Sequence, residues 1–239
     1  MRVIASITAK AFISAGRRRS RRGIPVSMIS VDVGEDSPHE YASGISAGEV
    51  IKNVHGRKSG AVAVLVDGEE RDMSYALEGD CRVDPILGDS EKGLYILRHS
   101  CAHLLAQAVT QLYPDAKPTI GPPIEHGFYY DFHMDPIDED GLREIEKRMR
   151  ELVKSNMAIE REDYDNDSLR ELFSTNPFKL EIMDDKIGHE VGSSAYRQGE
   201  FVDLCRGPHV SLTSQLRWFK LTSTSQAYWR ADRDRESLV

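Results

Sequence analysis

The sequence predicts an α+β fold in two domains, a small one over residues 29–88 and a larger one over residues 89–235. Three observations point there. The chain has 239 residues and 26.9 kDa, enough for one large or two modest domains. Residues 29–88 read as strand, helix, hairpin, strand. A run of turn residues, Gly88-Asp89-Ser90-Glu91-Lys92-Gly93, then separates that unit from a long helix.

Composition narrows the class. Charged residues make up 29% and hydrophobic ones 40%, the balance of an ordinary globular protein. No apolar run approaches the roughly 20 residues of a membrane span, so no membrane partner is expected. Cys81, Cys101 and Cys205 are an odd number without a Cys-x-x-Cys, which suits a reducing compartment and a cytoplasmic protein. Net charge is −8, but residues 1–30 hold seven basic and no acidic residues. The rest carries 24 basic against 39 acidic residues, a balance of −15. A bulk positive field therefore does not draw nucleic acid to this body; local basic groups or a partner must.

Residues 1–28 are expected to form a basic tail outside the folded body. Arg, Ser and Ala without acids fit an organellar presequence, which would make the protein organellar. A tail touching RNA and a gene start called too early are the other readings, and Met28 begins the first strand-like alternation.

In the small domain, Ser46-Ala47-Gly48-Glu49 is a capping-box pattern that opens a helix through His55. Ala61–Val66 is an apolar strand, Asp67-Gly68 a hairpin turn, and Glu70–Leu77 the returning strand. Cys81–Leu87 adds one more strand. This order is that of a ubiquitin-like β-grasp. No clustered His, Cys or paired carboxylates suggest catalysis there.

In the larger domain, the first helix ends at Tyr113-Pro114, because proline cannot continue it. Lys117–Ile120 and Phe128–Phe132 read as strands, the second placing Tyr130 on one face with Phe128 and Phe132. Asp138–Met157 is an amphipathic helix with a Leu142, Ile145, Met149, Leu152 stripe and Glu144–Arg148 and Glu146–Arg150 charge pairs. Residues 165–173 form another, capped by Asp165 or Asp167. Residues 176–182 read as a short strand, 188–199 as a loop, and 200–204 as a strand. Residues 236–239 form the end of the chain.

The chemistry concentrates in two places. His99 and His103, four apart on a helix, point the same way, while Leu94, Leu97, Cys101, Leu104 and Ala108 take the opposite side. Ala106 and Thr110 extend the small, polar face. About a hundred residues later Asp203-Leu204-Cys205-Arg206-Gly207-Pro208-His209 holds Cys205 and His209, with Gly207 and Pro208 turning His209 back. By residue type these four are a zinc set, or a polar pocket that positions a water. Cys205 as a nucleophile is a third reading, which needs a thiolate.

Three stretches carry a family resemblance: residues 99–105 (His-Ser-Cys-Ala-His-Leu-Leu), 120–131 (Ile-Gly-Pro-Pro-Ile-Glu-His-Gly-Phe-Tyr-Tyr-Asp) and 203–209. In wording, order and interval they resemble the N-terminal editing region of bacterial-type threonyl-tRNA synthetases, over roughly residues 29–235. The His-x-x-x-His and Cys-x-x-x-His pairs alone are shared with alanyl-tRNA editing domains and free-standing alanyl-tRNA deacylases. The resemblance implies a TGS domain over 29–88 and an editing domain over 89–235. It implies hydrolysis of seryl-tRNA(Thr) at the 3′ end, with the tRNA(Thr) acceptor end as partner. By it, His99, Lys179, His103, Cys205 and His209 are catalytic, and Gly121, Tyr130 and Asp203 bind substrate. No metal is expected; zinc on His99, His103, Cys205 and His209, as in the alanyl relatives, is the alternative. The aminoacylation core, with its ATP-binding arginines, is expected after residue 235 and is not there. The chain therefore reads as a fragment that does not make Thr-tRNA and works alone or beside a separate catalytic subunit. The family usually has glycine where Ala231 stands. A non-catalytic tRNA-binding or regulatory fragment is the competing reading.

Overall fold

The computed structural model describes residues 2–7, 27–34, 38–186 and 193–239. Contacts divide the chain into two units. The smaller runs through Ile96 and includes Pro208–Ser211; the larger holds Leu97–Gly207, Leu212–Val239 and the first strand.

In the smaller unit, helix α1 (Ala47–His55) is capped by Ser46, whose Oγ accepts the Glu49 N–H at 3.2 Å. A five-stranded sheet runs in the order His39–Ala42, Met28–Asp32, Cys81–Leu87, Ala61–Val66, Glu69–Arg71. Met28–Asp32 and Cys81–Leu87 are parallel neighbours, and the other pairs are antiparallel. Val31, Val50, Ile51, Val64 and Val83 form the core between helix and sheet. Asp67 and Gly68 both have positive φ (50° and 85°), the geometry a two-residue hairpin requires. The returning strand is shorter than expected. It stops at Arg71, the chain turns with the Tyr75 N–H on the Asp72 carbonyl, and Ala76–Leu77 pair separately with Ile45–Ser46.

Helix α2 spans Glu91–Leu112. It was expected to bury one side; instead every residue from Ser100 to Val109 is buried. Its sequence allows this because the opposite side carries Ala102, Leu105, Ala106 and Val109 between the polar residues. Helix α3 (Glu139–Ser155) starts on Asp138, which accepts the Gly141 N–H at 2.9 Å, and buries Ile145, Met149 and Leu152. The Glu146–Arg150 pair forms at 2.9 Å, whereas Arg148 reaches Glu151 and Gln111 instead of Glu144. Helix α4 (Asn166–Leu172) is capped by Asp165.

Three expectations are corrected. Residues 2–7, assigned above to a basic tail, form a strand inside the larger unit, antiparallel to both Gly127–His133 and Phe219–Ser223. The arginine-rich stretch that follows dominates the composition of residues 1–28 and masks the β-branched Val3, Ile4 and Ile7. Residues 176–182 are not a strand: Pro177–Lys186 is helix α5. Asn176 caps it, its Oδ1 accepting the Phe178 and Lys179 N–H groups at 3.1 and 3.3 Å, and Pro177 occupies the first helical position, which has no use for an N–H. In the expected loop 188–199, Ser193–Gln198 is the central strand of an antiparallel sheet with Ile159–Tyr164 and Phe201–Leu204. Residues 188–192 lie outside the described residues.

Near the end of the chain Arg230 and Ala231 are both left-handed, with φ of 56° and 58°. A Cβ is crowded there and glycine is not. The expected result for Ala231→Gly is a gain of roughly 0.5–1 kcal/mol in urea unfolding, after the entropy that glycine adds to the unfolded chain. A loss would show that the turn is not strained.

Candidate active site

The groups of this site sit on elements of the larger unit, and the expected site residue His209 belongs to the smaller. His99 and His103 are successive members of one row on α2, and their rings meet edge to face at 5.3 Å. Gln107 is the next member, four residues on. It is buried and donates to the Gln198 carbonyl at 2.8 Å. Sequence reasoning missed it, although the spacing 99, 103, 107 contained the signal.

Asp203, near the end of Phe201–Leu204, is the hub. It is 1% exposed, yet its carboxylate is well supplied with partners. Oδ1 takes the Lys179 ammonium at 2.5 Å and the Leu204 N–H at 2.8 Å. Oδ2 accepts the Tyr130 hydroxyl at 2.6 Å. His103 Nε2 lies 3.8 Å from Oδ2, an electrostatic neighbour beyond hydrogen-bond range. Lys179 also donates to the Tyr130 hydroxyl at 3.1 Å. Three strongly polar side chains thus form one closed network with almost no access to water. A charge buried without partners is very costly, so the network is tolerable because each charge has a counter-charge or donor.

Electrostatics follow. Burial raises the Asp203 pKa, but Lys179, His103 and the hydrogen bonds from Lys179 and Tyr130 outweigh it, and the carboxyl stays below its usual range. Burial, and then Asp203, push the Tyr130 hydroxyl well above its usual value, so it remains a donor. Burial lowers His99 to about 3, helped by His103 and opposed by Asp203. Burial likewise lowers His103 to about 4, where Asp203 opposes and Lys179 assists. Both imidazoles are neutral at pH 7.

Cys205 completes the second group. Its Sγ lies 3.3 Å from His99 Nε2 and accepts the Gly207 N–H at 3.2 Å. Gly207 has φ of 73°, and a Cβ there would lie 1.9 Å from the Tyr196 hydroxyl, so only glycine fits this turn. Ser194 holds the Cys205 carbonyl at 2.6 Å. The ring nitrogens of His99 and His103 and the sulfur of Cys205 lie within 4.8 Å of one another, and His209 is buried. A tetrahedral zinc with bonds of about 2.0–2.3 Å needs ligand atoms roughly 3.3–3.8 Å apart. By donor type His99, His103 and Cys205 suit such an ion, and separations of up to 4.8 Å have to close for them to hold it.

Gly121 lies against Tyr130. A Cβ there would lie 2.1 Å from Tyr130 Cδ2, so its role in the fold is to let backbone lie against the Tyr130 ring. The expected site residues Gly121, Tyr130, Lys179, Asp203, His103, His99 and Cys205 are thus linked by contact within the larger unit.

Residues 194–239 match the family model described as "Threonyl and Alanyl tRNA synthetase second additional domain". Most of the chain is similar to threonine--tRNA ligases. The relative from Rubrobacter xylanophilus is 40% identical over 214 residues, 89% of this chain and 33% of its own length. That from Pelobacter propionicus is 43% identical over 217 residues, 89% of this chain and 34% of its own. That from Thermoplasma acidophilum is 48% identical over 171 residues, 72% of this chain and 26% of its own. The chain spans about a third or less of the length of these curated relatives. The matched residues include Asp203, Cys205, Gly207 and His209. No described helix is long and apolar enough to cross a membrane.

Proposed function

We propose that this chain hydrolyses seryl-tRNA(Thr) at the tRNA 3′ end and spares threonyl-tRNA(Thr). The observation that carries this reading is the junction of a buried Lys179–Asp203–Tyr130 network with the His99–Cys205 pair. A purely RNA-binding fragment has no need of a buried, mutually neutralised set of this kind.

Serine and threonine differ by one methyl group, which a binding site converts into roughly 10–200-fold discrimination. A second site that admits serine and rejects the extra methyl multiplies that factor. In the reaction a water oxygen bonds to the ester carbonyl carbon, and the bond from that carbon to the ribose oxygen breaks. The water's proton ends on the ribose. His99 and Lys179 hold the water. An imidazole with a pKa of about 3 is a weak base at pH 7, so His99 orients the water more than it deprotonates it. The terminal ribose hydroxyl beside the ester then carries the proton. Lys179 has a third N–H beyond those used by Asp203 and Tyr130, and the proposal assigns it to the developing oxyanion or the water. Asp203 has used three of about four lone-pair positions, leaving one for the seryl ammonium, with Tyr130 and Gly121 packed beside it. His103 and Cys205 shape the pocket for the seryl group and terminal adenosine. The smaller unit is assigned the part of a TGS module without chemistry of its own, and the cytoplasm is the proposed place of work.

The test compares decay of Ser-tRNA(Thr) and Thr-tRNA(Thr). The expected ratio is roughly 10–200, with near-background decay in Lys179→Ala and His99→Ala. Equal decay of the two substrates, or full activity in both variants, would end this reading. Faster loss of Ser-tRNA(Ala) would assign the site to alanyl errors instead.

The residue types favour a second reading, in which His99, His103, Cys205 and His209, a zinc set by their donors, hold zinc. Zinc would supply Lewis acidity to a bound water only if one ligand yields its place, because four protein ligands leave a closed site. The proposed reaction uses no metal. Protein stripped of metal is expected to keep its full rate; a loss restored by zinc alone would favour the second reading.

A further inference from the structure

The segment Tyr228–Val239 has no part in the chemistry above, yet it is tied to two of the three elements that carry the buried network, those of Lys179 and Tyr130. On one side it grips α5. Arg235 pairs with Glu181 through two bonds of 2.7 Å, Trp229 Nε1 donates to Glu181 at 3.0 Å, and Arg230 reaches Glu181 at 2.6 Å. Phe178 and Trp229 meet edge to face at 5.2 Å, with Ile182 and Leu238 packed around them. Lys179 sits between Phe178 and Glu181 on that helix, one residue from the first anchor and two from the second. On the other side Val239 exchanges two backbone hydrogen bonds of 2.7 Å with Phe132, two residues beyond Tyr130 on Gly127–His133. The stacked Tyr130 and Phe132 rings, 4.9 Å apart, carry that grip to the tyrosine. The helix start is held independently, by Asn176 on the Pro118 carbonyl at 2.8 Å.

We infer that Tyr228–Val239 is a strap that sets the distance between Lys179 and Tyr130, with Glu181 and Arg235 as positioning residues for the buried network. Neither side chain touches that network. One carboxylate gathering two arginines and an indole N–H on a single face of a helix is far more than a surface ion pair requires. Isolated exposed pairs contribute little, whereas a bidentate pair within a network defines geometry. A shift of α5 by about 1 Å would open the 2.5 Å Lys179–Asp203 contact, and displacements of that size remove large factors from rates.

The inference rests on the proposed hydrolysis only for its kinetic readout, so the test has two. The first is kcat and KM for Ser-tRNA(Thr) in Glu181→Ala, Arg235→Ala and Glu181→Gln. The second is acetylation of Lys179 by an N-hydroxysuccinimide ester, followed by mass spectrometry. In the parent protein Lys179 is 3% exposed and is expected to react slowly. Glu181→Ala and Arg235→Ala are expected to lower kcat at least tenfold with KM within twofold, and to speed Lys179 acetylation at least fivefold with other lysines unchanged. Glu181→Gln, which still accepts from Trp229 and Arg235, is expected to recover at least half of each effect. If Glu181→Ala unfolds, with all lysines reactive, Arg235→Ala decides by the same measures. Acetylation and kcat within twofold of the parent in the folded alanine variants would overturn the strap. Absence of any hydrolysis by the parent would sink the proposed reaction alone, and the acetylation rates would still decide the strap.

Discussion

Lys179→Ala is expected to abolish hydrolysis and to destabilise the larger unit by about 3–5 kcal/mol, the cost of leaving one member of a buried ion pair without its partner. Asp203 is 1% exposed, and without the ammonium its Oδ1 keeps only the Leu204 N–H. The Tyr130 hydroxyl also loses a donor. The double variant Lys179→Met with Asp203→Asn separates the two consequences. It removes both charges while keeping the volume of the stem, an amide oxygen that accepts the Leu204 N–H and an amide N–H that donates to the Tyr130 hydroxyl oxygen. Most of the stability should return, because a buried pair replaced as a pair often costs little, whereas hydrolysis should not return. Urea unfolding of the three proteins measures this. A loss under about 1 kcal/mol in Lys179→Ala would mean that Asp203 reaches water.

The second large effect is on acid stability. His99 and His103 are held neutral, at about 3 and about 4, while an unfolded histidine titrates near 6.5. Below about 6.5 the unfolded chain therefore binds protons that the folded chain refuses. Stability must fall with pH from there until each folded value is passed. At pH 5 the loss is about 2 kcal/mol for each imidazole relative to pH 8, about 4 kcal/mol for the pair. Asp203, whose folded value is also lowered, adds its loss only at lower pH, below the usual carboxylate range. Unfolding free energy measured at pH 8 and pH 5 in the presence of a chelator checks this, and His103→Gln should remove about half of the difference. A flat profile between these values would mean that the imidazoles are solvated.

Much of this was legible in residue order. Local hydrogen bonding announced the helix starts at Ser46, Asp138 and Asp165, since a short polar side chain before a helical stretch has one dominant use. The pairing of His99 with His103 and the turn at Gly207 were equally local, the first from helical period and the second from a backbone angle that excludes a Cβ. Helix α5 was misread for an instructive reason. Phe178 and Ile182 join one cluster while Leu180 and Met183 join another, so the apolar residues face two cores and make no single stripe. Alternation in Phe178, Leu180 and Ile182 then imitated a strand, and Asn176-Pro177 was the overlooked cap. The strand Arg2–Ile7 was hidden by the composition around it, because its two neighbours in the sheet lie more than a hundred residues away.

The sequence by itself determined which residue types are available, the local geometry that pairs them, and where most helices begin. Only the tertiary structure decided that Asp203 would be enclosed by Lys179 and Tyr130 instead of standing open to solvent, and that Glu181 would gather two arginines and Trp229. The reason is physical. Periodicity and capping act over a few residues, whereas loss of water from a charged group depends on every chain segment packed around it.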